Sequence, residues 1–238
     1  LIDEWQSELT DVVTDPHELS DDEVSSDLGD IIASSSRMAP GLEWRLQELN
    51  VSCGPLRRGD FIQVAAFVDT GKTTFLADQV TYMTSQLEEG EYAAWFNNEQ
   101  EGSKVRYRTV QSALGKTATT IESDTVKATA AYATVMNGEP NKLRIIDNPS
   151  MHVRDIDKWC DRVKPKLIVI DMLDKVKGFE NEKRDDIRLS KLYQWARELA
   201  KKHGPVLIAS QVDGTGEKTK WIQMGQRAGS RQAKQAEA

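Results

Sequence analysis

Apolar and polar positions along this chain follow two alternating rhythms. Short apolar runs of strand length fall at 61–66, 92–97, 143–146, 166–171 and 205–210. The stretches between them repeat with a period of about 3.6 residues, which predicts helices at 72–88, 102–114, 122–137, 153–163 and 185–203. In the last of these, Ile187, Leu189, Leu192, Trp195, Leu199 and Ala200 share one side, and Gly204-Pro205 stops the helix. Strands that alternate with helices in this way predict an α/β fold, a mostly parallel twisted sheet flanked by helices.

One junction in that pattern carries chemistry. The run Phe61-Ile62-Gln63-Val64-Ala65 leads into Ala66-Phe67-Val68-Asp69-Thr70-Gly71-Lys72-Thr73-Thr74, and a helix follows. A strand, a tight loop closing on Gly-Lys-Thr and a helix make up the phosphate-binding loop arrangement. Successive backbone N–H groups and the helix N-terminus form a concave site for polyphosphate. Ala66, Asp69, Thr70, Gly71, Lys72, Thr73 and Thr74 are therefore the expected nucleotide-binding residues. Lys72 is expected to reach the β- and γ-phosphates, and the Thr73 hydroxyl to hold Mg²⁺. A chance Gly-Lys-Thr in a surface turn is the plain alternative, and the strand–loop–helix setting disfavours it.

Three other strand ends fit the same chemistry. Lys166-Leu167-Ile168-Val169-Ile170-Asp171 is a buried strand ending in a carboxylate, which is suited to the Mg²⁺ shell opposite Thr73. Ala93-Ala94-Trp95-Phe96-Asn97-Asn98-Glu99 runs from an apolar strand into an acid. Ligands of open α/β sheets bind beyond the carboxyl ends of the strands, so Glu99 is placed to polarise an attacking water. Val206-Leu207-Ile208-Ala209-Ser210-Gln211 ends in an amide able to sense the γ-phosphate. Lys72, Glu99 and Gln211 are the expected catalytic set. Lys175, Lys177, Lys183 and Arg184 follow Asp171, and Lys218 and Lys220 follow Gln211. These two polar stretches are the expected contacts to a nucleic-acid backbone, with mobile surface loops as the alternative.

Charge divides the chain in two. Residues 1–36 contain eleven acids (Asp3, Glu4, Glu8, Asp11, Asp15, Glu18, Asp21, Asp22, Glu23, Asp27 and Asp30) and no Lys or Arg. The whole chain has 38 acids against 31 bases, so residues 37–238 are mildly basic behind an acidic pI. We expect an acidic linker or tail over 1–36, partly disordered or marginally helical, and one domain over 37–238. Ser34-Ser35-Ser36 and Pro40-Gly41 mark the boundary. No apolar run approaches the roughly 20 residues that span a bilayer, and no signal peptide is visible. The chain opens on Leu1, as a fragment would. Cys53 and Cys160 fit no metal spacing and read as buried or incidental thiols.

Taken in order, these elements resemble the RecA-like motor domain of DnaB-like replicative DNA helicases, most of all bacteriophage-encoded members. Leu42 to Asn50 and Gly54 to Asp60 are similar to the family's lead-in to its first core strand. Phe96-Asn97-Asn98-Glu99 sits where the family places its catalytic glutamate, and Ile170-Asp171-Met172-Leu173 matches its Asp-bearing strand end. Ser210-Gln211 matches its glutamine motif, and Gly229 to Glu237 the stretch before its final strands. Ala66 and Asp69 depart from residues that are often glycine and proline in the loop.

The resemblance implies a RecA-like P-loop NTPase that hydrolyses ATP or another NTP with Mg²⁺ and moves along single-stranded DNA. It implies self-association into a ring, usually hexameric, primase or polymerase as replisome partners, and the cytoplasm of a host cell. It also implies that the family's last strands and its arginine finger lie beyond Ala238. A RecA-like recombinase or mediator shares every core motif, and a nucleotide-binding regulatory module without motor output is a third reading.

Overall fold

The computed structural model describes residues 27–35, 39–67, 69–182 and 184–212, with backbone alone at 30, 34 and 35. By contacts the chain divides into Leu1–Ala39 and Pro40–Ala238. In the first unit, helix α1 covers Leu28–Ser35, where the sequence predicts linker or marginal helix.

The second unit holds α2 (Gln47–Cys53), β1 (Phe61–Ala66), α3 (Lys72–Ser85), β2 (Ala93–Asn97), α4 (Gly102–Leu114), α5 (Ala118–Ser123) and α6 (Thr125–Val135). After these come β3 (Leu143–Asp147), α7 (Val153–Val163), β4 (Leu167–Asp171), a 3₁₀ turn at Leu173–Lys175, α8 (Asp185–Lys202) and β5 (Val206–Gln211). The five strands form one sheet in the order β1-β5-β4-β2-β3, and every pairing is parallel. Each expected strand is present to within a residue or so of its expected limits.

A parallel sheet must be covered on both faces, because its crossover helices lie on both. Side chains alternate across a strand, so each run of apolar residues feeds two cores. Ala94, Phe96, Ile168, Ile170, Val206 and Ile208 face α7 and α8, where Ile156, Cys160, Leu192, Ala196 and Leu199 are buried. Ala93, Trp95, Leu167, Val169, Leu207 and Ala209 face the opposite way, against Leu76, Ala77, Val80 and Met83 of α3 and Val105 of α4. The lead-in segment closes this second core: Trp44 is buried there, and its indole N–H donates to the Gly54 carbonyl at 3.1 Å.

Two helical expectations need correction. The helix expected over 122–137 is broken at Asp124, whose non-helical backbone (φ −153°, ψ 82°) ends α5. Its carboxylate then caps α6, accepting from the Lys127 N–H at 2.9 Å. On α8, Leu192, Trp195, Leu199 and Ala200 are buried as expected, but Ile187 is 38% exposed, and Tyr193 and Ala196 take part in the core instead. Cys160 is buried and Cys53 exposed, and burial pushes the Cys160 thiol up to about 12.

Candidate active site

Register brings the chemistry to one rim. Asn97 is the sheet partner of both Asp147 and Asp171, and Ala66 is the partner of Gln211, so the strands carrying these residues end level. The chain leaves β1 for β2 across two intervening strands, and that switch opens a crevice at the carboxyl ends.

The loop after β1 turns on two residues with positive φ, Asp69 (56°) and Gly71 (95°). Gly71 caps α3, and the left-handed backbone there is one that glycine adopts without steric cost. The Thr70 hydroxyl ties the loop together by donating to the Phe67 carbonyl at 2.7 Å. The Lys72 ammonium lies over the same turn, 3.5 Å from the Ala66 oxygen and 3.4 Å from the Phe67 oxygen. These are long contacts for an ammonium, and a phosphate oxygen would displace them. Asp69, Gly71, Lys72, Thr73, Thr74, Glu99 and Gln211 line a single cleft of about 210 Å³ together with Gln100 and Arg108.

Thr73 lies beside Asp171, the carboxylate at the end of β4. Its hydroxyl donates to Asp171 Oδ2 at 3.1 Å, while Asp171 Oδ1 is buried without a hydrogen-bond partner. Burial, and then the nearby charge of Glu99, push the Asp171 carboxyl up to about 6. A buried carboxylate with one orphaned oxygen beside a threonine hydroxyl fits a hydrated Mg²⁺, which takes hard oxygen ligands and keeps most of its waters. Thr73 and Asp171 are the residues that would hold it.

Glu99 lies beyond β2, and its Oε1 is 3.4 Å from the Lys175 ammonium. The preceding residue fixes it in place. The buried Asn98 side chain bonds both backbone groups of Met172, accepting from its N–H at 2.7 Å and donating to its carbonyl at 3.0 Å. The Asn98 N–H adds a bond to the Asp171 carbonyl at 3.0 Å. Asn98 thus staples the glutamate-bearing strand end to the aspartate-bearing one.

Next to it, Asn97 donates to the Gln100 carbonyl at 2.5 Å and to Asp147 Oδ1 at 2.6 Å. Asp147 Oδ2 accepts from the Gly102 N–H at 2.8 Å, which sets the start of α4. A Cβ at Gly102 would meet that carboxylate at 2.8 Å. From α4, Arg108 reaches the cleft and donates to Gln100 Oε1.

Sequence reasoning did not single out Asn98, Gln100 or Arg108. The only signal they offered was polar residues crowded beside Glu99, with an arginine on the next helix.

The basic residues expected to meet nucleic acid are engaged individually. Lys175 pairs with Glu99, the Lys177 ammonium donates to the Ser150 hydroxyl at 3.3 Å, and Arg184 pairs with Asp186. Lys183, Lys218, Lys220 and the stretch Gly229 to Glu237 lie outside the described residues. Among the described residues, no group of His, Cys, Asp and Glu side chains forms a metal cluster, and no helix is long and apolar enough to cross a membrane.

A family model, the DnaB-like helicase C terminal domain, matches residues 41–223. Among solved structures, the ATPase domain of G40P superposes with a TM-score of 0.72 at 18% identity, over 87% of this chain and 77% of that one. A DnaB-like replicative helicase, described with its interactions with primase, also gives a TM-score of 0.72 at 18% identity. That match covers 99% of this chain, which spans 59% of that helicase. At this identity both likenesses show the fold. No curated protein matches the chain. With its family model covering most of its length, and with Lys72, Thr73 and Asp171 grouped at the rim of a RecA-like sheet, the chain belongs to the DnaB-like helicase C-terminal domain family of ATP-dependent P-loop enzymes.

Proposed function

We propose that this domain hydrolyses ATP, or another NTP, with Mg²⁺ and uses the energy to move along single-stranded DNA as one subunit of a ring, usually a hexamer. The observation that carries the reading is the cleft in which Lys72, Thr73, Glu99 and Gln211 meet, with Asp171 bonded to Thr73 behind them.

Phosphoryl transfer needs an in-line nucleophile and neutralised charge more than covalent help from the protein. Glu99 orients the attacking water and accepts its proton as the water oxygen bonds to the γ-phosphorus. The bond from that phosphorus to the bridging oxygen breaks, and ADP leaves with the electron pair. Lys72 neutralises charge on the β- and γ-oxygens, and Arg108 brings a second cation to the same cleft. Thr73 and Asp171 would hold Mg²⁺, which would supply further charge neutralisation. Gln211 senses the γ-phosphate from the end of β5.

The loops after β4 and β5 are the proposed route to DNA, through Lys175, Lys177, Lys183, Arg184, Lys218 and Lys220. The mildly basic body supports this reading. A primase is the proposed replisome partner, in line with the related helicase described with one. A bacteriophage origin and the cytoplasm of its host are the proposed setting.

ATPase assays with and without single-stranded DNA, at two salt concentrations, test the proposal. DNA is expected to stimulate hydrolysis, and added salt to weaken the stimulation. Lys72→Ala is expected to abolish hydrolysis; DNA-stimulated ATPase that survives this change would refute the assignment.

A further inference from the structure

The turn that carries Glu99 is held from both flanking strands. The Glu99 side chain does little to fix itself, because its ion pair with Lys175 is half-exposed at 3.4 Å, and such pairs hold weakly. The place of its carboxylate therefore follows from the backbone of residues 98–101. On the β4 side, Asn98 holds that backbone through both polar groups of Met172. On the β3 side, a single carboxylate holds both ends of the turn. Asp147 Oδ1 accepts from the Asn97 side-chain amide at 2.6 Å, where the chain leaves β2. Asp147 Oδ2 accepts from the Gly102 N–H at 2.8 Å, where the chain enters α4. The Asn97 amide spans the gap between these points, donating also to the Gln100 carbonyl at 2.5 Å. Asp147 itself is exposed and does not line the cleft.

We infer that Asp147 is a positioning residue for Glu99: by tying together the two ends of the 98–101 turn, its carboxylate fixes the spot from which Glu99 meets the attacking water. The inference rests on the reading of Glu99 as the group that orients that water.

A plain helix cap does not account for the arrangement. The N-cap residue of α4, Glu101, makes no side-chain cap bond, and Asp147 Oδ2 alone would supply the missing acceptor. Yet Oδ1 is committed as well, to the strand end on the far side of the turn. Asn97 points the same way. It is fully buried, and with both its donated bonds aimed at the turn and at Asp147, its own Oδ1 is left buried without a partner. That is costly in a strand whose other residues are apolar. The cost is explained if the shape of the turn is what matters. Gly102 adds a third sign, because a Cβ there would meet Asp147 Oδ2 at 2.8 Å. The carboxylate can lie against the turn only where residue 102 has no side chain.

The test is single-turnover cleavage of ATP with Mg²⁺ by an excess of the whole protein, read beside equilibrium binding of a non-hydrolysable ATP analogue. Asp147→Ala is expected to slow cleavage between about 10- and 100-fold, the effect of misplacing a reacting group by about 1 Å. Its affinity for the analogue is expected to stay within about twofold of the parent. Gly102→Ala displaces the carboxylate while adding a better helix former, and is expected to slow cleavage in the same way. It carries the test if Asp147→Ala does not fold.

A double variant shows which group Asp147 acts through. Groups that work as a unit do not lose rate twice, so Asp147→Ala is expected to change cleavage by less than about twofold in a Glu99→Ala background. A second loss as large as the first would mean that Asp147 acts through another group, such as Arg108 on α4, and would overturn the inference. A loss of cleavage matched by an equal loss of analogue affinity would overturn it too. If Glu99→Ala is slow while Asp147→Ala and Gly102→Ala cleave at the parent rate, the positioning role is wrong and the reading of Glu99 stands. Should Glu99→Ala itself cleave at the parent rate, that reading fails and the inference falls with it.

Discussion

The middle of the sheet and its carboxyl rim are built from neighbouring residues of the same strands, yet they obey opposite rules. In the middle, Phe96, Ile168, Ile170 and Ile208 are buried against apolar partners on parallel strands. One residue further along, the rim buries Asp171, Asn97 and Asn98 and leaves Asp171 Oδ1 without a partner. A fold that only needed stability would not end its core strands in buried polar groups. The rim therefore gives up stability, and under the proposed function the unpartnered Asp171 oxygen is where a hydrated cation would complete the site.

This contrast predicts that a change in the middle is felt as stability and a change at the rim as chemistry. Phe96 is buried, and its ring meets Trp159 edge-on at a centroid distance of 5.5 Å. Phe96→Ala is expected to cost about 3–5 kcal/mol in denaturant unfolding. Glu99→Gln, three residues away, is expected to lower ATP turnover on the order of 10³-fold with little change in unfolding or in nucleotide affinity. Comparable stability losses in both variants would break the distinction.

Asp171 provides a test through pH. Its carboxyl is raised from an ordinary 3.8 to about 6, so without nucleotide the folded chain holds the proton more tightly than the unfolded chain does. Stability is then lost as pH rises through that window, by an amount on the order of 3 kcal/mol once the group is ionised. Asp171→Asn is expected to melt higher than the parent at pH 8, and the gain is expected to vanish near pH 4. The same variant is expected to weaken the Mg²⁺ dependence of nucleotide binding. A melting difference independent of pH would show that Asp171 carries no such strain.

The smallest effect belongs to Lys175. Its pair with Glu99 is half-exposed at 3.4 Å, so Lys175→Ala is expected to shift unfolding by less than about 1 kcal/mol.

The sequence made the middle of the sheet legible because a parallel strand is apolar on both faces and stands out as a continuous run, as in Leu167-Ile168-Val169-Ile170. Lys72 and Thr73 were legible because loop chemistry is local. Asn98 and Arg108 were not. Each acts across a separation that only the tertiary fold closes, such as the 74 residues between Asn98 and Met172. The break at Asp124 was missed because a capping carboxylate can sit within an otherwise helical pattern. Ile187 fits the helical period yet lies in the first turn of α8, short of the buried stretch that begins at Leu192.

The most direct measurement is a structure of the protein with Mg²⁺ and a non-hydrolysable ATP analogue. The account predicts the β- and γ-phosphates on Lys72, the metal against Thr73 and on the Asp171 Oδ1 side, and Gln211 facing the γ-phosphate. A triphosphate bound elsewhere, or one in this cleft that leaves Lys72 on the Ala66 and Phe67 carbonyls, would contradict it.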